Sequence, residues 1–269
     1  MIDSLLLLSL VLVLLLWSYS SHRADNHRLR LRQQQGLHNS EQLLSLLNSI
    51  QQHRGHSSAT LGGVTDRQLQ LDQLRLQIDR GFQGLAPELP HSLQVRWQPL
   101  QQQWQQLSQR WPDYQILQNF QSHCEILRQL QALLEKQTDH ASLTSAASQQ
   151  QQQLARQIFV QLPTTIEHLG QLRALSTYAA AQRHCLTAFK LNLQYLINQL
   201  ADLSQGNGNL DDRALLTEVE TLLQLISQEV IEPEHLKISP DQLFRRITKV
   251  MDRCYLKIDS GAKRLLQPA

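Results

Sequence analysis

The amino-acid sequence predicts an all-α protein, an N-terminal membrane-anchor helix followed by about eight further helices. Three observations carry this. Leucine and glutamine fill long runs while Val, Ile and Thr rarely cluster, and only 10 Gly and 8 Pro punctuate 269 residues, a composition that favours helix. Apolar residues recur at helical steps, as at Leu43, Leu47 and Ile50, so that they share one face. No stretch reads convincingly as a strand. With 41 % hydrophobic and 18 % charged residues, the chain can bury a sizeable core in one or two ordinary domains. The formal net charge of +2 is too small to argue for nucleic acid.

The block Leu5 to Trp17 is uncharged and apolar and continues through Ser20. At roughly 16 residues it is just short of the usual span of about 20, and Trp17 and Tyr19 suit an interface. Arg23, Arg28, Arg30 and Arg32 follow it, which by the positive-inside rule puts the rest of the chain on the cytoplasmic side. A cleaved signal peptide is the competing reading, but Met-Ile-Asp-Ser lacks the expected basic start. Residues 1–35 are thus read as anchor and basic juxtamembrane segment at the inner membrane, and 36–269 as the helical body.

Ser40, with Leu43 and Leu44 behind it, is expected to cap a helix that runs to about Thr60 and ends at Gly62 and Gly63. Thr65 or Asp66 is expected to cap the next, Arg67 to Leu85, before Pro87 and Pro90 break the chain. A helix from His91 to Arg110 follows, with Trp97 and Trp104 on one face and Pro99 disturbing its start. Pro112 fits the first turn of a helix to about Lys136, and Thr138 or Asp139 opens another, in which Gln149 to Gln153 form a solvated face. From Pro163 an unbroken helix to Leu203 is expected, a rod on the order of 60 Å that is long enough to serve two bundles. A turn at Gly206 to Asn209 separates it from helices at Asp211 to Ile231 and Pro240 to Leu266.

Arg54 falls where the stripe of Leu43, Leu47 and Ile50 calls for another apolar residue. A guanidinium keeps its proton at any accessible pH, so an inward arginine needs a carboxylate, carbonyls or an anion. Gly55, Ser57, Ser58 and Ala59 leave room beside it. The pattern returns after Leu162, Ile166 and Leu169, where R-A-L-S-T (Arg173 to Thr177) matches R-G-H-S-S (Arg54 to Ser58). Two such helices face to face could hold a small anion between guanidinium forks, with Ser57, Ser58 and Thr177 as hydroxyl donors. The competing reading is an internal ion pair, of Arg54 with Asp72 or Asp79, or of Arg173 with the poorly spaced Glu167.

The run Q-Q-H-R-G-H-S-S-A-T-L-G-G (Gln51 to Gly63), followed by L-D-Q-L-R-L-Q-I-D (Leu71 to Asp79), resembles the signature helix of the nitrate- and nitrite-sensing (NIT) domains. L-G-Q-L-R-A-L (Leu169 to Leu175) and L-F-R-R-I-T-K-V-M-D (Leu243 to Asp252) resemble that family's second half. The resemblance spans roughly residues 40 to 265; His53 stands where the family commonly has an acid, and no second arginine adjoins Arg54. It implies two stacked helical bundles that bind nitrate or nitrite between arginine-bearing helices, with Arg54 and Arg173 as ligands and Arg245 drawn in from the closing helix.

The chain carries no G-x-S-x-G, phosphate-binding glycine loop or H-E-x-x-H pair. Its 11 histidines are scattered, and His53 and His56 read as polar groups at a helix surface. Cys124, Cys185 and Cys254 read as reduced buried thiols. No enzyme, cofactor or metal site is expected. With no kinase, RNA-binding or methyl-accepting segment after residue 265, a sensor would signal through a homodimer or a separate output protein. The alternative class is a helical scaffold without a small ligand, its Leu/Gln-rich faces binding another helical protein.

Overall fold

Helix α1 (Ile2–Leu61) and helix α6 (Leu162–Ala181) lie side by side in the middle of the computed structural model, each carrying one of the inward arginines. The structure describes residues 2–144, 148–202 and 212–265, with the side chains of 2–13 and 15 outside the description. Around the central pair stand α2 (Gln68–Leu85), α3 (His91–Arg110), α4 (Ile116–His140), α7 (Thr187–Asp202), α8 (Arg213–Ile226) and α9 (Pro240–Leu265). The short helix α5 (Gln149–Arg156) leads through a π turn (Gln157–Gln161) straight into α6. Counting α5 and α6 as one rod, the described residues form eight helices and no strand. The all-α class read from composition is the one observed.

Helix α1 packs on α2 and α4, α6 packs on α7 and α9, and α3 and α8 lie against α4 and α9 in turn. The chain therefore lays down one plan twice, joined through α1 and α6. These two run parallel: Gln51 reaches Glu167, Arg54 abuts Gly170, and the Gly62 carbonyl takes a hydrogen bond from Gln182 Nε2. Most of α6 is buried, which is why it shows no polar face. In α3, Trp97 and Trp104 are both buried, and their indole N–H groups donate to the Phe82 carbonyl and Asp79 Oδ1 at 3.1 and 2.8 Å. Pro99 stays inside that helix; the carbonyl it orphans belongs to exposed Val95.

Several helix limits differ from expectation. The rod expected from Pro163 to Leu203 breaks between Ala181 and Thr187. Arg183 takes φ 54°, and the His184 N–H closes on the Ala179 carbonyl at 3.1 Å. Gly63 ends α1 in the same way, at φ 100° with the Val64 N–H on Ala59. Glycine takes this conformation freely; at Arg183 it is held by the Leu236 N–H, which donates to the Arg183 carbonyl at 3.1 Å. Pro163 does sit in the first turn of α6, but the π turn before it accommodates the proline ring and its missing N–H, so α5 runs on without a break.

Ser40 is not a cap. It lies buried within α1, and its hydroxyl donates back to the Gly36 carbonyl at 2.7 Å. The cap position of α2 belongs to Arg67, which is drawn into an ion pair with Asp241, rather than to Thr65 or Asp66. Pro112 lies in a separate 3₁₀ turn (Trp111–Asp113) ahead of α4. Helix α4 runs on to His140, so neither Thr138 nor Asp139 opens a helix; α5 starts instead at Gln149, capped by Ser148, whose hydroxyl accepts from the Gln151 N–H. The turn expected at Gly206–Asn209 lies outside the described residues.

Residues 16–32 of α1 are almost all exposed, and its buried face begins at Gly36. Among the described residues no helix is long and apolar enough to cross a membrane. The block Leu5–Ser20, expected to be an anchor, falls mostly among the side chains outside the description.

The left-handed residue at the end of α6 sets a test of this boundary. Arg183→Val should lower stability by about 1–2 kcal/mol, because a β-branched side chain crowds the backbone at positive φ. Arg183→Gly should not, and urea unfolding midpoints distinguish the two.

Candidate functional site

Arg54 and Arg173 are among the largest wholly buried side chains, at 0 % and 1 % exposure. The inward placement read from the stripe is correct for both. Gly55 lets α6 approach: a Cβ there would lie 3.2 Å from Arg173 Nε and 2.9 Å from the Phe244 ring. Gly170 does the same for Arg54, whose Nη2 would meet a Cβ at 2.7 Å. The two guanidinium groups are thus brought together where the central helices touch.

Their environments differ. Arg54 forms a two-pronged pair with Glu167, Nη1 to Oε1 at 2.5 Å and Nη2 to Oε2 at 3.1 Å, and Nη1 also donates to Cys124 Sγ at 3.1 Å. Gln51 Nε2 and Gln171 Nε2 donate to the same carboxylate, each at 2.9 Å. Burial works against the charge on Arg54, but Glu167 and Cys124 outweigh it and hold its pKa above the ordinary arginine value. Neither Asp72 nor Asp79 is the partner; they accept from Gln68 Nε2 and Trp104 Nε1. Removing one member of such a buried pair typically costs about 3–5 kcal/mol.

Arg173 donates Nη1 to Thr248 Oγ1 at 2.8 Å and Nη2 to the Gln51 carbonyl at 2.9 Å, with its guanidinium over the Phe244 ring at 4.7 Å. No carboxylate among the described residues lies within ion-pair distance of it. Its Nε has no hydrogen-bond partner, nor has Ser58 Oγ or Thr177 Oγ1. Ser58 and Thr177 are buried and lie one helical turn after Arg54 and Arg173 on α1 and α6. Burial, then the neighbouring charge of Arg54, push the Arg173 pKa down to about 10, against a pull upward from Tyr255, Asp252 and Glu167. It still carries a full positive charge at neutral pH.

Of the other residues singled out in the sequence, Ser57 is buried but turned to the Arg54 carbonyl, which takes its hydroxyl at 3.1 Å. Arg245 is exposed on α9 and takes no part in the buried cluster. His53 and His56 are not surface groups. His53 is packed edge-on against Trp104 and Trp111, and its Nδ1 lies 2.9 Å from His123 Nε2. Because His123 Nδ1 faces the Asn119 carbonyl at 2.8 Å, that nitrogen carries the proton, so Nε2 accepts from His53. Asn119 Nδ2 donates on to Ser57 Oγ at 3.0 Å, linking the histidines to the Arg54 turn. His56 lies against the Phe244 ring at 4.6 Å. Sequence reasoning missed Gln51, Cys124, Phe244, Thr248 and Tyr255, whose hydroxyl donates to Gln51 Oε1 at 3.0 Å. A lone glutamate in the apolar stripe of α6 was the available signal for Glu167.

The described residues offer no group of three metal-ligating side chains. The Cys124 thiol is pushed up to about 11, mainly by burial, so it is not a ready nucleophile. Outside the Arg54–Glu167 pair a cleft of about 310 Å³ opens between α4 and α6, lined in part by Cys124, Arg128, Glu167 and His168. Comparison of the chain with protein-family models, curated proteins and solved structures finds no match.

The buried histidines set a pH dependence. Burial, followed by nearby charges, holds His53 well below its usual value, and burial brings His123 down to about 3. The unfolded chain therefore binds protons that the folded chain refuses, and stability present above about pH 6.5 is lost as the pH falls toward 3. The double variant His53→Leu/His123→Ile should reduce that loss in melts recorded between pH 4 and 7, leaving the part that comes from His56, which burial brings down to about 4, and from His168, which burial also lowers.

Proposed function

We propose that this protein is a non-enzymatic helical sensor, two helical bundles stacked through α1 and α6, that binds a small oxyanion of the nitrate or nitrite kind beside Arg173. The observation that carries the reading is the buried charge of Arg173, which Asp252 and Glu167 reach only from beyond ion-pair distance, together with the unpartnered hydroxyls of Ser58 and Thr177. A planar monoanion matches a guanidinium edge and sheds its water more readily than sulfate or phosphate. It would also relieve the cost of burying that cation without a counter-charge. The likeness of the Gln51–Gly63 stretch to NIT domains points the same way.

An anion there would touch both central helices and so bias the population in which they are closed together. The change would be read by a second copy or a separate output protein. The apolar Leu5–Ser20 stretch and the arginines after it fit a single-pass anchor at the inner membrane, with the body in the cytoplasm. A ligand-free scaffold is the second reading, and the pair of Arg54 with Glu167 favours it at that one position. At Arg173, held by Thr248, the Gln51 carbonyl and Phe244, the sensor reading is supported by the lack of a carboxylate within ion-pair distance among the described residues.

Calorimetric titration of the full-length chain with nitrate and nitrite should show binding that Arg173→Ala weakens ten- to hundredfold, the loss of one charge-assisted fork. The exposed Arg245→Ala should bind as the wild type does. A wild type that neither binds nitrate or nitrite nor gains thermal stability from them returns the protein to the scaffold class.

A further inference from the structure

The two arginine positions share a set of contacts. Each guanidinium lies over a phenylalanine, Phe120 at 5.8 Å for Arg54 and Phe244 at 4.7 Å for Arg173. Each donates through Nη1 to the residue one helical turn after that ring, Cys124 in one case and Thr248 in the other. Each reaches the opposite central helix three residues before the opposite arginine, at Gly170 and at Gln51. The helices around them follow the same order, with α2 starting as far after Arg54 as α7 starts after Arg173.

One correspondence fails. Glu167, the partner of Arg54, lies six residues before Arg173, and the residue six before Arg54 is Asn48. Asn48 is neutral, and its Oδ1 accepts from Gln52 Nε2 at 3.2 Å. The duplicated plan thus supplies one arginine with a carboxylate from the neighbouring helix and, among the described residues, leaves the other without one. We infer that the Arg54 position is a second anion site of the same design, which Glu167 fills with the chain's own carboxylate.

The glutamate is held as a bound ligand is held. Four donors converge on it: both prongs of Arg54, and the amides of Gln51 and Gln171. The class of ligand follows from that template. It is a planar monoanion of carboxylate size, such as nitrate, nitrite or formate. The cleft outside Glu167, about 310 Å³ in volume, gives such an ion a route to Arg54 once the side chain is cut back. The identity of residue 167 then sets how many anions the chain takes. The assignment of the free position to Arg173 rests on the function proposed above; the plugged position at Arg54 does not.

Calorimetry and thermal melts of the full-length chain, with nitrate and formate as probes, test this. The wild type should take one equivalent. Glu167→Ala, which empties the seat beside Arg54, should take two, and added anion should raise its melting temperature more than that of the wild type. Glu167→Gln, which keeps the seat filled, should take no more than the wild type. If Glu167→Ala does not fold in plain buffer, recovery of its helical signal by nitrate or formate is the same positive result. A Glu167→Ala chain that takes no more anion than the wild type, or that no anion restores, overturns the inference even where the wild type binds. A silent wild type beside a responsive Glu167→Ala overturns the function proposed for Arg173 and leaves the plugged site standing.

Discussion

A guanidinium cannot be hidden from water by losing its proton, so a fold that buries two of them must organise its centre around their needs. Here that constraint accounts for the glycines at positions 55 and 170, for the close parallel passage of α1 and α6, and for the polar thread through Gln51. Gln51 accepts from Arg173 through its carbonyl, donates to Glu167 through its amide, and takes the Tyr255 hydroxyl on its side-chain oxygen. One residue of α1 therefore ties both arginines to α6 and α9. The leucine core around them supplies most of the stabilisation, but the polar centre fixes which helix faces which.

The polar groups divide unevenly between the two halves. Next to Arg54 lie His53, His123 and Asn119, and at the corresponding places beside Arg173 stand Leu172, Ile247 and Leu243. The first half is therefore the more sensitive to protons, the second the drier. Charge divides unevenly too: with Arg54, Arg173 and Glu167 all buried, the two central helices carry a surplus of one positive charge in their interior.

How much of this was legible in the sequence follows from which interactions are local. The limits of α3 were readable because Pro90 and Pro112 punctuate them. The end of α1 was readable because Gly63 signals its own positive φ. The end of α6 was not, since Arg183 carries no such signal and is held by the Leu236 N–H from a distant loop. Ser40 was misread because a serine can bond back within a helix as readily as cap one. The inward arginines showed in the apolar stripe, but the partner of Arg54 depends on the register between two helices more than a hundred residues apart in the chain. His53 was misplaced for the same reason, as its partner His123 lies on α4.

Helix α1 is continuous from Ile2 to Leu61, so the turn that holds Arg54 and the exposed turns around Trp17 are parts of one rod. At about 1.5 Å per residue the two lie on the order of 55 Å apart along its axis. An α-helix resists stretching and twisting along its hydrogen-bonded length, and α1 has no proline at which to bend. Were α1 to turn against α6 at the arginines, the turn would be carried out of the bundle as a rotation of the exposed helical arm, a shaft turned at one end.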